Sequence, residues 1–176
     1  MKIGLCGTQS VGKTTLVNAL KELDQFKDYN FSTERSQHLM SLGIPLNTDS
    51  TLKGQTVFLA ERCGELMHDN IITDRTIFDV MSFTINAKSI PHHDKELFET
   101  YAAQFIGEYD YIFYISPQGI DIEDNGVREV DEQYRDLIDF TIKNLIFRYT
   151  HKSKIVKQLS GSTEERVLQI IHFLSS

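Results

Sequence analysis

The stretch that decides the fold is "KIGLCGTQSVGKTTLVNALKEL", residues 2–23, and inside it "GTQSVGKT", Gly7 to Thr14. "KIGLC" is a short apolar run ending at a glycine, which reads as a strand buried on both faces. From Lys13 onward, Leu16, Leu20 and Leu23 share one helical face. Gly7, Gly12, Lys13 and Thr14 fill G-x-x-x-x-G-K-[ST] without a mismatch, between that strand and that helix. The glycines let backbone N–H groups turn inward around an anion, and the helix start adds a favourable dipole. The candidate nucleotide-binding set is therefore Gly7, Gln9, Ser10, Val11, Gly12, Lys13, Thr14 and Thr15. Lys13 is expected to reach the β and γ phosphates of ATP and Thr14 to ligate Mg²⁺.

Working outward, "YNFST" (29–33), "NIITD" (70–74), "YDYIFYIS" (109–116) and "KIVKQL" (154–159) read as further strands. Between them, a short helix comes after "ERSQ", and helical period runs through 49–70, 77–87, 94–108 and 132–149. A last helix at 162–174 has Ser162 and Glu165 spaced as a capping box. In the 49–70 segment, Thr56, Leu59, Ala60, Cys63, Leu66 and Met67 form the expected inward stripe, with Gln55, Phe58, Arg62 and Glu65 beside it. Residues 117–131 are polar and glycine-bearing, hence a loop. Strands alternating with helices imply a parallel sheet covered on both faces, an α/β three-layer sandwich.

The 176 residues suit one domain spanning 1–176, and the 25 acidic against 18 basic side chains give a formal charge of −7. That balance argues against a surface that grips nucleic acid all over. Cys6, on the first strand, and Cys63 lack metal-ligand spacing, which points to a reducing compartment without a disulfide framework. The N-terminus does not read as a signal peptide, and no apolar run approaches the roughly 20 residues that span a bilayer. A cytoplasmic protein without a membrane partner is expected.

The residues closing the third strand narrow the class of phosphate chemistry. A GTPase switch needs D-x-x-G and N-K-x-D, and an oligomeric motor ATPase needs Asp-Glu; "NIITDRT" ends instead in Asp74-Arg75. Asp74 would lie at the carboxyl edge of the sheet, where open α/β proteins place ligands. It is a candidate to accept a proton from an acceptor hydroxyl or to hold a Mg²⁺-bound water. Glu34, closing the adjacent strand, is the other candidate. Gln55, Phe58 and Arg62 form a polar-aromatic stripe that suits either an acceptor base or a solvated helix face. Tyr109, Tyr111, Phe113 and Tyr114 read as core of their strand, and His92-His93-Asp94 as a loop without a third metal ligand.

An Asp-Arg pair closing the third strand resembles the DR motif of the nucleoside and nucleotide kinases. The ordered run of phosphate loop, "TER" (33–35), "DSTLKGQ" (49–55), "TDR" (73–75) and "DNGVR" (124–128) is most similar to the nicotinamide-riboside-kinase-like P-loop family, which includes small bacteriophage kinases. The resemblance covers nearly the whole chain, although only the phosphate loop is specific alone. It implies a five-stranded sheet in the order 2-3-1-4-5. It implies an ATP- and Mg²⁺-dependent kinase with Lys13, Asp74, Glu34 and the lid arginines Arg128 and Arg135 as catalytic groups. Mg²⁺ would be held at Thr14 and Asp74. Glu34, Arg35, Gln55, Phe58, Arg62 and Arg75 would bind the acceptor, and "SGSTEER" (160–166) would pass the adenine. The resemblance implies three possible acceptors: nicotinamide riboside, a deoxynucleoside or its monophosphate, and the hydroxymethyl group of 5-hydroxymethyluracil in DNA. The single-domain length, without the further portion of many bacterial relatives, favours the phage-type DNA acceptor, and a homodimer is left open. The reading of another class is a nucleotide-gated regulatory ATPase module.

Overall fold

The computed structural model describes residues 1–33, 36–118, 131–149, 151 and 156–175. Its elements are β1 (Lys2–Cys6), α1 (Lys13–Lys21), β2 (Asn30–Ser32), α2 (Ser36–Ser41), α3 (Leu52–Glu65), β3 (Ile71–Asp74) and α4 (Ile77–Asn86). Then come α5 (His92–Ala102), β4 (Tyr111–Ile115), α6 (Glu132–Tyr149), β5 (Val156–Leu159) and α7 (Thr163–Leu174). The five strands form one parallel sheet in the order β2-β3-β1-β4-β5, as expected.

Alternation along each strand assigns the two faces. Ile3, Leu5, Phe113 and Ile115 join Leu16, Val17, Leu20 and Ile170 under α1 and α7. Cys6, Ile112 and Tyr114 point the other way, into a core with residues of α3, α4, α5 and α6. Ile3, Leu5 and Cys6 are fully enclosed, so β1 is covered on both faces, which is why it reads as an unbroken apolar run. Each such aliphatic side chain contributes about 1.5–3 kcal/mol relative to exposure.

Register places the functional edge. Leu5 pairs with Asp74 and Cys6 with Tyr114, so the glycine loop leaves the sheet beside the end of β3.

Two expectations are corrected. In α3 the inward face is Gln55, Leu59, Arg62 and Leu66, whereas Thr56, Ala60 and Met67 are exposed. The stripe is rotated because α3 packs on α4 and delivers a buried arginine to the end of β3, an arrangement that hydrophobic periodicity does not see. His92 and His93 form the start of α5 rather than a loop; the helix begins after Pro91, and exposed His92 lies 3.6 Å from Glu96 on the next turn. That helix ends at Ala102, and a 3-10 segment, Ala103–Glu108, carries the chain to β4.

Candidate active site

The glycine loop closes in a conformation that depends on its residue types. Gly12 has φ of 82° and Ser10 of 59°, both in the left-handed region. A Cβ on Gly7 would lie 2.6 Å from the Ile115 carbonyl oxygen, so only glycine lets β1 pass that close to the end of β4. Thr8, Gln9, Ser10 and Val11 are buried, and the Thr8 hydroxyl donates to Gln9 Oε1 at 2.6 Å. Helix α1 starts behind Gly12 with no side-chain cap and no acid in its first turn among the described residues. Its leading N–H groups and positive dipole end are left for an anion. Thr15, one position past Thr14, is exposed.

Lys13 is buried and curls over the loop, its Nζ donating to the Gly7 and Thr8 carbonyls at 2.6 and 2.7 Å. Burial pushes its pKa down, the Arg75 guanidinium adds to that push, and Asp79 and Asp74 oppose it. Thr14, next along, donates its hydroxyl in a short bond to Asp74 Oδ2. The other carboxylate oxygen, Asp74 Oδ1, is buried without a hydrogen-bond partner.

Those oxygens suit a hard cation. Mg²⁺ is usually held by one or two carboxylates with substrate phosphates completing the sphere. The Thr14 hydroxyl and Asp74 Oδ2 supply that kind of donor set at the foot of the glycine loop, and Asp74 Oδ1 stays open beside it. Among the described residues no group of three or more His, Cys, Asp or Glu could hold a metal by itself.

Around Asp74 the turn is braced from several sides. Arg75 has φ of 94°, a left-handed conformation that costs a non-glycine residue about 1–3 kcal/mol. It is held by its own N–H donating to Leu5 O at 3.0 Å and by the Thr73 hydroxyl donating to its carbonyl at 2.9 Å. The Arg75 guanidinium lies 5.1 Å from the Phe83 ring centroid, a cation–π distance. Arg62, only 3% exposed, donates from Nη1 to the Asp74 carbonyl at 3.0 Å and pairs through Nη2 with Glu65 at 2.6 Å. Ser32, at the end of β2, donates to the same Glu65 oxygen. β1, β2, α3 and α4 thus converge on the end of β3.

The residues expected from sequence divide accordingly. Lys13, Thr14, Asp74, Arg62 and Arg75 come together. Gln55 is buried, and Phe58 is half-buried and packs against the core under α4. Arg62 sits behind the site, with both terminal nitrogens engaged as described. Arg135 is buried in the first turn of α6. Glu34, Arg35 and Arg128, with most of the expected lid, lie outside the described residues.

Sequence reading missed Asp79 and Arg166. Asp79 accepts from the Gly7 N–H at 3.2 Å and caps α4 through Thr76. Its signal was the box Thr-x-x-Asp directly after Asp74-Arg75. Arg166, in the first turns of α7, donates from Nη1 to the Val11 carbonyl at 2.9 Å. Its signal was its sign, since a cation near a helix N-terminus opposes the dipole and needs a local reason.

A parallel sheet in this order, with a glycine loop between its central strand and the following helix, is the three-layer α/β P-loop kinase fold. A family model described as an AAA domain matches residues 2–166, and the chain belongs to that family. No curated protein matches it significantly. Among solved structures, it is similar to deoxyadenosine kinase from M. mycoides with bound dCTP at 17% identity and a TM-score of 0.68, covering 99% of each chain. The same enzyme with bound dATP matches at 18% identity and a TM-score of 0.64, over 100% of both chains. NadR protein in complex with NR matches at 17% identity and a TM-score of 0.70, over 97% of this chain and 50% of that one. At these identities the likeness is one of fold.

Proposed function

We propose that the protein is a kinase that transfers the γ-phosphate of ATP to a hydroxyl of a nucleoside-type acceptor. The observation that carries this reading is the Thr14–Asp74 contact, which joins the phosphate loop to a buried carboxylate with one oxygen still unpartnered. Phosphoryl transfer needs positioning and charge neutralisation more than covalent chemistry by the protein. Nucleotide phosphates displace Lys13 from the Gly7 and Thr8 carbonyls, and the ammonium then neutralises the β and γ oxygens. Asp74 Oδ1 orients the acceptor hydroxyl and takes its proton as the new O–P bond forms and the bridging bond to ADP breaks. Mg²⁺, at Thr14 and Asp74, would offset the charge of the phosphate oxygens. Arg75 would face the acceptor, and the lid arginines proposed from sequence, Arg128 and Arg135, would close over the transferring group.

A free nucleoside or its monophosphate is the acceptor best supported. The chain matches a deoxyadenosine kinase end to end, and NadR protein was solved with NR, which keeps nicotinamide riboside among the candidates. The net charge of −7 adds no help for gripping a polymer. The hydroxymethyl group of 5-hydroxymethyluracil in DNA, the leading acceptor expected from sequence, is the competing arm of the test.

The test is ADP release with ATP and Mg²⁺ against a panel of nucleosides, nucleoside monophosphates, nicotinamide riboside and hydroxymethylated DNA. One free acceptor should raise turnover sharply, with a KM nearly indifferent to salt, and Lys13→Ala should abolish the effect. A response confined to DNA, with apparent affinity falling steeply as salt rises, would transfer the assignment to the polymer. Turnover indifferent to every acceptor would favour the regulatory ATPase module.

A further inference from the structure

Asp79 is fully buried, lies 72 residues from Gly7 in sequence, and uses both carboxylate oxygens across two different segments. Oδ2 accepts from the Thr76 N–H at 2.7 Å and from the Thr76 hydroxyl at 2.9 Å, completing the capping box of α4. Oδ1 accepts from the Gly7 N–H at 3.2 Å, at the first residue of the phosphate loop. Capping alone would need only the first set, and glutamate is the more usual residue for it. A fully buried carboxylate is costly unless well paired. Gly7 in turn would leave a buried N–H unsatisfied without this acceptor, and an unmade buried hydrogen bond is costly.

We infer that Asp79 is a positioning residue that clamps the phosphate loop to the Asp74–Arg75–Thr76 turn and so sets the distance between phosphoryl donor and acceptor. The Arg75 N–H also reaches Leu5 O on β1, continuing the strand pairing, and the Thr14 hydroxyl reaches Asp74, the carboxylate proposed to hold the metal. Asp79 is wholly buried, so its bonds to Gly7 and Thr76 are shielded from solvent. Its charge also supports the buried Lys13 ammonium, which Arg75 opposes. A carboxylate of this length spans both donors; one methylene more moves Oδ1 off Gly7 while leaving the cap within reach.

The catalytic consequence rests on the kinase reading; the clamp itself does not. Two variants of the full chain separate it from simple capping. Asp79→Asn keeps the shape but must turn its amide towards one set of donors. Asp79→Glu keeps charge and capping box and loses the reach. In ¹⁵N NMR spectra of the free protein, both should shift the Gly7 amide proton upfield and quicken its exchange at least about tenfold. Against the best acceptor, both should lower kcat about tenfold or more, with the Kd for ATP changed less than about threefold, because misplacement by an ångström penalises transfer rather than binding. An unmoved Gly7 amide, or wild-type kcat in Asp79→Glu, would overturn the inference. So would a loss of ATP affinity that accounts for the whole loss of kcat. If wild-type protein phosphorylates no acceptor, the kinase reading fails, and the Gly7 resonance still decides the clamp.

Discussion

Lys13 carries a buried charge whose cost and use have opposite pH dependences. Because burial lowers its pKa, the folded chain releases this proton at a lower pH than the unfolded chain does. Between those two values the unfolded state binds more protons, so stability rises with pH there. Wild type should therefore gain stability relative to Lys13→Met as pH climbs towards the ordinary lysine range, measured by denaturant unfolding without nucleotide. Activity should move the other way: kcat/KM for ATP falls as Lys13 loses its proton, with an alkaline limb below the ordinary lysine pKa. Flat stability and a limb above that value would contradict the burial argument. At this scale the sequence was most informative where a residue type has few alternative uses. Gly7, Gly12, Lys13 and Thr14 could be placed from spacing alone, and Asp74 from its position at a strand end. Arg62 and Asp79 were not legible as braces, because each acts on a backbone group distant in sequence, and neither spacing nor hydropathy encodes that partner.

Between elements, the approach of β1 to the start of α4 sets how near the Asp74–Thr76 turn comes to the phosphate loop. Gly4 is the contact point: a Cβ there would lie 2.5 Å from Thr76 Cγ2 and 2.8 Å from the Tyr109 ring. Thr76 is fixed by its capping box, and Tyr109 is wholly buried, so neither can give way cheaply. Gly4→Ala should destabilise the protein by about 1–3 kcal/mol and lower kcat in the surviving folded fraction. Unchanged unfolding midpoint and turnover would show that the two elements have slack. Element boundaries were legible where local signals agreed, as in α6 and in α7 with its Ser162–Glu165 box. The face of α3 was not, since Gln55 and Arg62 are polar yet turn inward, while Met67 is apolar and 83% exposed. Periodicity reports transfer free energy, and this helix is oriented partly by hydrogen bonds at the end of β3.

Across the whole molecule, the sheet order puts the β1 loop between the ends of β3 and β4, with β2 next outward from β3. The phosphate loop and Asp74 therefore meet at one carboxyl edge, the kind of crevice where open parallel sheets bind ligands. The three-layer architecture was legible from strand–helix alternation, and the strand order from the family likeness. The acceptor was not, because two of the residues expected from sequence to bind it, Glu34 and Arg35, lie outside the described residues. The most direct measurement tracks the label from γ-labelled ATP in wild type and in Asp74→Asn, with ATP binding measured alongside. Wild type should place the label on an acceptor hydroxyl faster than into inorganic phosphate, while Asp74→Asn binds ATP and loses transfer at least about a hundredfold. Label appearing only as inorganic phosphate, or undiminished transfer by Asp74→Asn, would contradict a phosphoryl transfer organised by the Thr14–Asp74 edge.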